Sequence, residues 1–371
     1  MYFSVGSHAA THHVSATFTP EQFGAIGNGK HNDTAAVQAA INAAAGRGMV
    51  LLSAHKTYLC TKALTIPSNS TIEGTNSTAV LSFNWFDASG SDSGGRSYIG
   101  SNVTASNSNI TLTKFTVQGA GTGYPSGPNA LYPTGLVSGV NLHFVNHFSI
   151  RHLQVRDVPG ISIAYLGSQN GRIVYSYVHN SGRDGITGFG DSQNLDNIKI
   201  EHNDIVDVGD DAIAVNGAPL RPSVNAPPLP YNITVSNNII QGWSTNINGK
   251  TLGRGIFIAA VVDVTVTNNS INNTFSSGIM VMGSQTLGIV VDKNPATHAP
   301  TRSREVIIQN NVITDAGQLS TGSTLDLGHG GRTDGIYIDG ATSTVVSGNI
   351  ITNSLSQAVD NVECISNCTV Q

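Results

Sequence analysis

The most regular feature of the chain is a set of short stretches in which β-branched residues alternate with polar ones and end in asparagine. They are Asn197-Ile-Lys-Ile-Glu-His-Asn203, Asn232-Ile-Thr-Val-Ser-Asn-Asn238, Asp263-Val-Thr-Val-Thr-Asn-Asn269 and Glu305-Val-Ile-Ile-Gln-Asn-Asn311. Alternation with period two over so few residues predicts half-buried strands closed by a polar turn. A second strand, opened by a small residue and isoleucine, recurs at Gly185-Ile186, Ala212-Ile213, Gly255-Ile256, Gly278-Ile279 and Gly335-Ile336. From Gly160-Ile161 to Gly185-Ile186 to Ala212-Ile213 the steps are 25 and 27 residues, the length of one coil of a parallel β-solenoid. One coil cannot bury its apolar face alone, so coils stack ~4.8 Å apart around a continuous Ile and Val core.

The expected unit is therefore a two-strand repeat. Asn203, Asn238, Asn269 and Asn311 fall at the same turn of successive coils and fit a stacked amide ladder. Longer steps locate insertions at about 216–231, which holds five prolines, at 284–304 and at 316–332, and loops on one side of a solenoid commonly shape its binding face. A segment at 119–139 adds Tyr124 and Tyr132, either for packing on sugar rings or for covering the wall. Near the N-terminus the periodicity changes. Residues 34–45 are Ala-rich with Val37, Ile41 and Ala44 at helical spacing, after Asp33 as N-cap and before Gly46. Such a helix would cap the open end of the core and protect its strand edges. Residues 1–17 are read as a tail and 18–371 as the solenoid domain.

Composition narrows the classes of function. The chain has 371 residues, with 41 Gly and 35 Asn, and only 11% are charged. Few helix formers exclude a helical protein, and 39% hydrophobic residues exclude disorder. With 18 Lys and Arg against 23 Asp and Glu there is no cationic field for nucleic acid. No run of ~20 apolar residues predicts a membrane span. Cys364 and Cys368 lie close enough for a local disulfide, leaving Cys60 over; three free thiols is the other reading. A bridge would suit a secreted or periplasmic location, although Met1 to Pro20 lacks the apolar stretch of an export signal.

The stretch Phe23-Gly-Ala-Ile-Gly-Asn-Gly-Lys-His-Asn-Asp-Thr34, the Ala-rich helix, and Gly48-Met-Val-Leu-Leu-Ser-Ala-His-Lys-Thr-Tyr58 resemble the opening of pectate-lyase-like proteins. The resemblance implies an all-β, single-stranded right-handed parallel β-helix over nearly the whole chain, with an N-terminal capping helix. That superfamily includes hydrolases, lyases, epimerases and phage tailspikes, so the fold does not settle the function. A narrower resemblance, to polygalacturonase-type glycoside hydrolases, rests on three motifs. Where that family has Asn-Thr-Asp-Gly, Gly-Asp-Asp and Gly-His-Gly, this chain has Gly182-Arg183-Asp184-Gly185, Gly209-Asp210-Asp211 and Gly253-Arg254-Gly255. The family's His is Arg254 here, and no Arg-x-Lys element follows.

Independently of any family, the residue before each small-Ile pair is Asp184, Asp211, Arg254, Ser277 and then Asp334, which must form a column. Asp184 and Asp211 should sit on adjacent coils, ~4.8 Å apart at the backbone, with Asp210 beside them. Three close carboxylates cannot all ionise freely, which keeps one protonated for acid catalysis. Glycoside hydrolysis needs one such acid and one carboxylate to activate water or attack carbon. The resemblance implies Asp210 as the acid, Asp184 and Asp211 as activators of water, and inversion, although inverting pairs usually stand ~6.5–9.5 Å apart. The competing reading of each Asp is an ordinary turn residue. Asp334, and His329 in Gly328-His329-Gly330, imitate the motifs outside their cluster.

Arg183 and Arg254 are candidates to bind an acidic sugar or to pair with the Asp column, and Phe189, Trp243 and Phe257 to form a stacking platform or cover a wall. The expected partner is a polysaccharide or oligosaccharide, with no cofactor, metal, nucleic acid or membrane implied. Two other functions fit the same residues. One is a polysaccharide lyase or epimerase, with arginine as the base and the acidic residues holding Ca²⁺. The other is a tailspike-like module that only binds glycan.

Overall fold

The structure, a computed structural model, describes residues 16–85, 96–121, 137–190, 195–217, 229–242, 253–283, 302–317, 333–364 and 367–371. Within these residues the chain coils repeatedly, and every strand pairs in parallel with the equivalent strand one coil away. In the central coil the first face is Ile186–Phe189, the second Asp196–Glu201 and the third Asp204–Val208. They pair with Ile213–Asn216, Tyr231–Ser236 and Ile239–Gln241 of the next coil. The repeat thus has three strands rather than the expected two. The missed strand, Asp204-Ile-Val-Asp-Val208, lacks strict alternation and follows at once on the Asn203 turn, so its pattern merges with the turn.

Ile198 and Ile200, Ile233 and Val235, Val264 and Val266, and Val306 and Ile308 all point inward and are buried, as the alternation requires. The small residue before each isoleucine has a steric cause. A Cβ on Gly185, Gly255 or Gly278 would meet the carbonyl oxygen of the next coil at 2.6, 2.3 or 2.8 Å. Two other glycines make room for rings from the preceding coil. Gly171 lies over Phe148 and Gly188 over Tyr165, where a Cβ would come within 2.0 and 2.3 Å of the ring atoms.

The asparagine ladder forms as expected and runs further. The Asn238 Nδ2 donates to Asn269 Oδ1 at 2.9 Å and to the Ile200 carbonyl at 2.9 Å, and its own Oδ1 accepts from Asn203 Nδ2 at 3.0 Å. The same pattern links Asn269 to Asn311 and Asn311 to Asn349. The residue before each ladder asparagine, such as His202, Asn237, Asn268 and Asn310, has φ near +55°, so the corner turns through the left-handed region.

The N-terminal helix spans Thr34–Ala44 and buries Val37, Ile41 and Ala44 against the first coil. Asp33 stands at its N-cap position, but the carboxylate does not cap the helix. It is fully buried and instead accepts from the backbone N–H groups of Ile26 and Gly27 at 2.9 and 3.0 Å, fixing the glycine-rich loop. The first described strand, Ala16–Phe18, pairs with Gly48–Val50 and so begins two residues before the expected domain boundary. Cys60 is free and buried, its thiol pushed up to about 12, and Cys368 is disulfide-bonded. Among the described residues, no helix is long and apolar enough to cross a membrane.

Two substitutions test this account of the core. Asn269→Ala strands the buried groups of Asn238, Val235 and Asn311 that it now pairs, and should cost on the order of 2–4 kcal/mol, read as a lower urea midpoint. Tyr165→Phe should be neutral or stabilising in the same assay, because the buried Tyr165 hydroxyl has no hydrogen-bond partner among the described residues.

Candidate active site

The first face carries the column read from the sequence. Gly185, Ala212, Gly255 and Gly278 each donate a backbone N–H to the carbonyl one coil on, belonging to Asp211, Arg254, Ser277 and Asp334 respectively, at 2.9 to 3.2 Å. This pairing places Asp184, Asp211, Arg254, Ser277 and Asp334 one above another. The long insertions interrupt the coil at one or other edge of this face, and its strands are buried on both sides, as in Ile213–Asn216 and Ile256–Ala259.

Asp184, Asp210 and Asp211 are 2%, 5% and 4% exposed, and one carboxylate oxygen from each lies within 4.8 Å of the other two. That is closer than the ~6.5–9.5 Å usual for an inverting pair. Arg254 reaches across them. Its Nε donates to Asp211 Oδ1 at 2.5 Å, and Nη2 to Asp211 Oδ2 at 3.1 Å and Asp210 Oδ1 at 3.3 Å. The guanidinium rests on the Phe257 ring, 4.2 Å from its centroid, and Nη1 faces the Met280 sulfur at 3.8 Å. Asp184 is held differently. Its Oδ2 accepts from the Thr187 hydroxyl at 2.6 Å, and its Oδ1 stands 3.8 Å from Arg183 Nε.

Burial, and next the Asp210 charge, push Asp184 up to about 6, against the opposing pull of Arg183, Thr187 and Arg254. Burial also raises Asp211 well above the ordinary carboxylate range, opposed first by Arg254. Groups this close titrate as a unit. The cluster therefore holds a proton under conditions where isolated aspartates are ionised. Three converging oxygens are also a chemistry that suits a divalent cation, but the Arg254 guanidinium already fills the cationic position beside Asp211 and Asp210.

The structure thus brings Asp184, Asp210, Asp211, Arg183 and Arg254 together. Phe257 lies under Arg254, while Phe189 packs with Ile161, Ala164 and Leu166. Both rings are buried on the outer side of the first face. Asp334 is buried and accepts from the Gln357 backbone N–H at 2.9 Å. Trp243, His329, Tyr124 and Tyr132 lie outside the described residues. Sequence reasoning missed Thr187. Its signal is legible only in register, as the polar member of a column that continues Ala214, Phe257, Met280 and Tyr337.

No protein-family model matches the chain, and no curated protein does either. Solved structures match along nearly its whole length. The enzymatically active domain of bacteriophage CBA120 tailspike protein 2 aligns with a TM-score of 0.64 and 14% identity, covering 95% of this chain and 47% of that one. The polygalacturonase of Erwinia carotovora ssp. carotovora aligns at 0.59 and 15% identity over 96% of both chains. The chain is a right-handed parallel β-helix. A mannuronan C-5 epimerase A-module from Azotobacter vinelandii shares this fold at a TM-score of 0.50 and 18% identity, over 95% of this chain and 99% of that one. At such identities the likeness establishes the β-helix and leaves its chemistry to the residues.

The raised Asp184 has a consequence for stability. A carboxyl whose folded pKa exceeds its unfolded value binds more protons when folded, so stability is greatest at low pH and is lost as pH rises between 3.8 and about 6. Asp184→Asn should flatten that slope and raise the melting temperature at pH 7, by up to roughly 2–3 kcal/mol of stability. Thermal melts of both proteins from pH 4 to pH 7 check it.

Proposed function

We propose that this β-helix hydrolyses glycosidic bonds of a polysaccharide or oligosaccharide, using Asp184, Asp210 and Asp211 as its acid–base groups. The observation that carries the reading is the cluster itself: three nearly buried carboxylates from two neighbouring coils, with converging oxygens and fewer than three charges. Such a site holds both partners that the reaction requires. One carboxyl protonates the leaving oxygen as the C1–O bond breaks, and an ionised neighbour draws the proton from the attacking water. The β-helix fold shared with a polygalacturonase and with the active domain of a tailspike is consistent with a glycan partner.

Elimination or epimerisation is the rival, and the position of Arg254 weighs against it. A lyase or epimerase base must be free to take a proton beside a uronate carboxylate. Here the Arg254 fork is engaged on Asp211 and Asp210, and Arg183 lies against Asp184. The same engagement bears on substrate. The two arginine charges are answered by three carboxylates, which among the described residues leaves no surplus positive charge at the cluster for a uronate. A neutral glycan suits the site better than polygalacturonan. The disulfide at Cys368 supports a secreted or periplasmic protein.

The test is a glycan panel scored for new reducing ends and for the ultraviolet absorbance of unsaturated products, with and without chelator. Cleavage should be hydrolytic, indifferent to chelator, and faster on a neutral glycan than on polygalacturonic acid. Asp210→Asn and Asp211→Asn should each lose ~10²-fold or more of that activity while remaining folded. A calcium-dependent unsaturated product would transfer the site to the lyase reading, and nearly full activity in either variant would remove the mechanism.

A further inference from the structure

Stacked coils also set like charges on one another outside the carboxylate cluster, and on the second face the charges are positive. Arg172 pairs in register with Ser149 one coil back and with Lys199 one coil on. At the end of the same three strands stand Arg151, Val174 and Glu201, and the corner that follows carries His152, Tyr175 and His202. We propose that this patch binds an acidic polysaccharide, a chain bearing one carboxylate or sulfate on each sugar. It lies on a different face from Asp184, Asp210 and Asp211, and the proposal does not depend on the hydrolytic reading.

Arg151, Arg172 and Lys199 are exposed and make no ion pair among the described residues. Neighbouring cations are answered: Lys114, one coil earlier, meets Glu73 at 2.9 Å, and on the third face Arg156 stands 3.8 Å from Asp157. Against the three cations of the patch stands one carboxylate, Glu201, which accepts from the Ser236 hydroxyl at 3.3 Å. Like charges directly opposite each other destabilise a sheet. In a chain of net charge −5, an uncompensated Arg172–Lys199 pair is a local cost that an anionic partner removes.

The patch is also ordered in advance. The Arg172 Nε donates to the Ser149 hydroxyl at 3.1 Å, which restrains the side chain and leaves both Nη groups without a hydrogen bond among the described residues. Guanidinium N–H groups take carboxylate or sulfate oxygens in pairs. Beside the cations, the rings of His152, Tyr175 and His202 stack with centroids 5.3 and 4.9 Å apart and planes 12° and 6° from parallel. All three are exposed.

The shape of the stack decides between two polyanions. Both faces of Tyr175 are covered by imidazoles, so the rings offer their hydrogen-bonding edges to the solvent. Sugar hydroxyls suit such edges, whereas the bases of a single-stranded nucleic acid need open faces on which to stack. Adjacent coils are ~4.8 Å apart, close to the length of one sugar unit, so a glycan lying along the coil axis brings successive anionic groups to Arg172 and Lys199 in turn. The patch would hold the protein on an acidic polymer while the carboxylate cluster meets another chain.

The experiment is native electrophoresis in gels containing polygalacturonic acid, dextran sulfate, neutral dextran or single-stranded DNA, each compared with a gel free of polymer. The wild type should be retarded by an anionic glycan and not by neutral dextran, and retardation should weaken with added salt. Retardation by polygalacturonic acid alone would assign a uronate chain, and by dextran sulfate alone a sulfated one. The double variant Arg172→Ser, Lys199→Ser should bind ~10-fold or more weakly, while its melting temperature and its rate on any cleaved glycan stay unchanged. Tyr175→Asn, which suits the left-handed φ of 52° there, should also weaken binding by breaking the stack. Asp210→Asn should bind as the wild type does, which separates this patch from the carboxylate cluster.

No retardation by either anionic glycan would overturn the proposal, as would binding that survives the double variant or is lost in Asp210→Asn. Tighter retention by single-stranded DNA than by both glycans would reassign the patch to nucleic acid.

Discussion

Parallel pairing of each coil with the next is the constraint on which everything else in this protein depends. Because strand follows strand in register, a residue's nearest neighbours are those at the same height of the coil one turn away, ~4.8 Å off. Like is therefore stacked on like. For isoleucine and valine this builds a continuous core. For asparagine it builds a ladder, since an amide carries both a donor and an acceptor and can satisfy the amide above and the amide below. Glycine appears where a neighbouring coil's carbonyl or ring leaves no space for a Cβ, as at Gly185 and Gly188.

The same rule is hostile to charge. Two aspartates at one height of adjacent coils are forced together whatever their repulsion, and a third beside them makes it worse. Elsewhere, buried acids of this protein are answered locally: Asp33 receives two backbone N–H groups, and Asp334 receives one from Gln357. At Asp184, Asp210 and Asp211 the compensation among the described residues comes from Arg183, Arg254 and the Thr187 hydroxyl, and the carboxylates stay in excess of the cations. A stacked fold thus offers a cheap route to a catalytic carboxylate cluster, because proximity is supplied by the backbone ladder and survives the cost in stability.

Arg254 shows how a single side chain can reorganise such a cluster without altering the fold. It occupies the column position next above Asp211, so the ladder that packs the aspartates together also places the guanidinium against them. The fork pulls Asp211 down, but burial outweighs it and the carboxyl stays raised.

Most of the fold was legible in the sequence. The Asn-terminated strands, the small-Ile pairs and their 25- and 27-residue steps specify a stacked coil, because a period reflects one repeated packing environment. The third strand was not legible, since Asp204–Val208 shows little alternation of its own and is defined by pairing across coils. The column of Asp184, Asp211 and Arg254 was also readable, as alignment of repeats is equivalent to alignment in space. What the sequence could not decide was the direction in which each side chain uses its reach. Asp33 looked like a helix cap and turned to the loop; Arg254 had two plausible partners and took Asp211 and Asp210; Thr187 carried no motif and became the donor to Asp184. Register is a backbone property written in the repeat, whereas hydrogen-bond choice among neighbours a few ångströms apart depends on distances and angles that exist only once the coils are stacked.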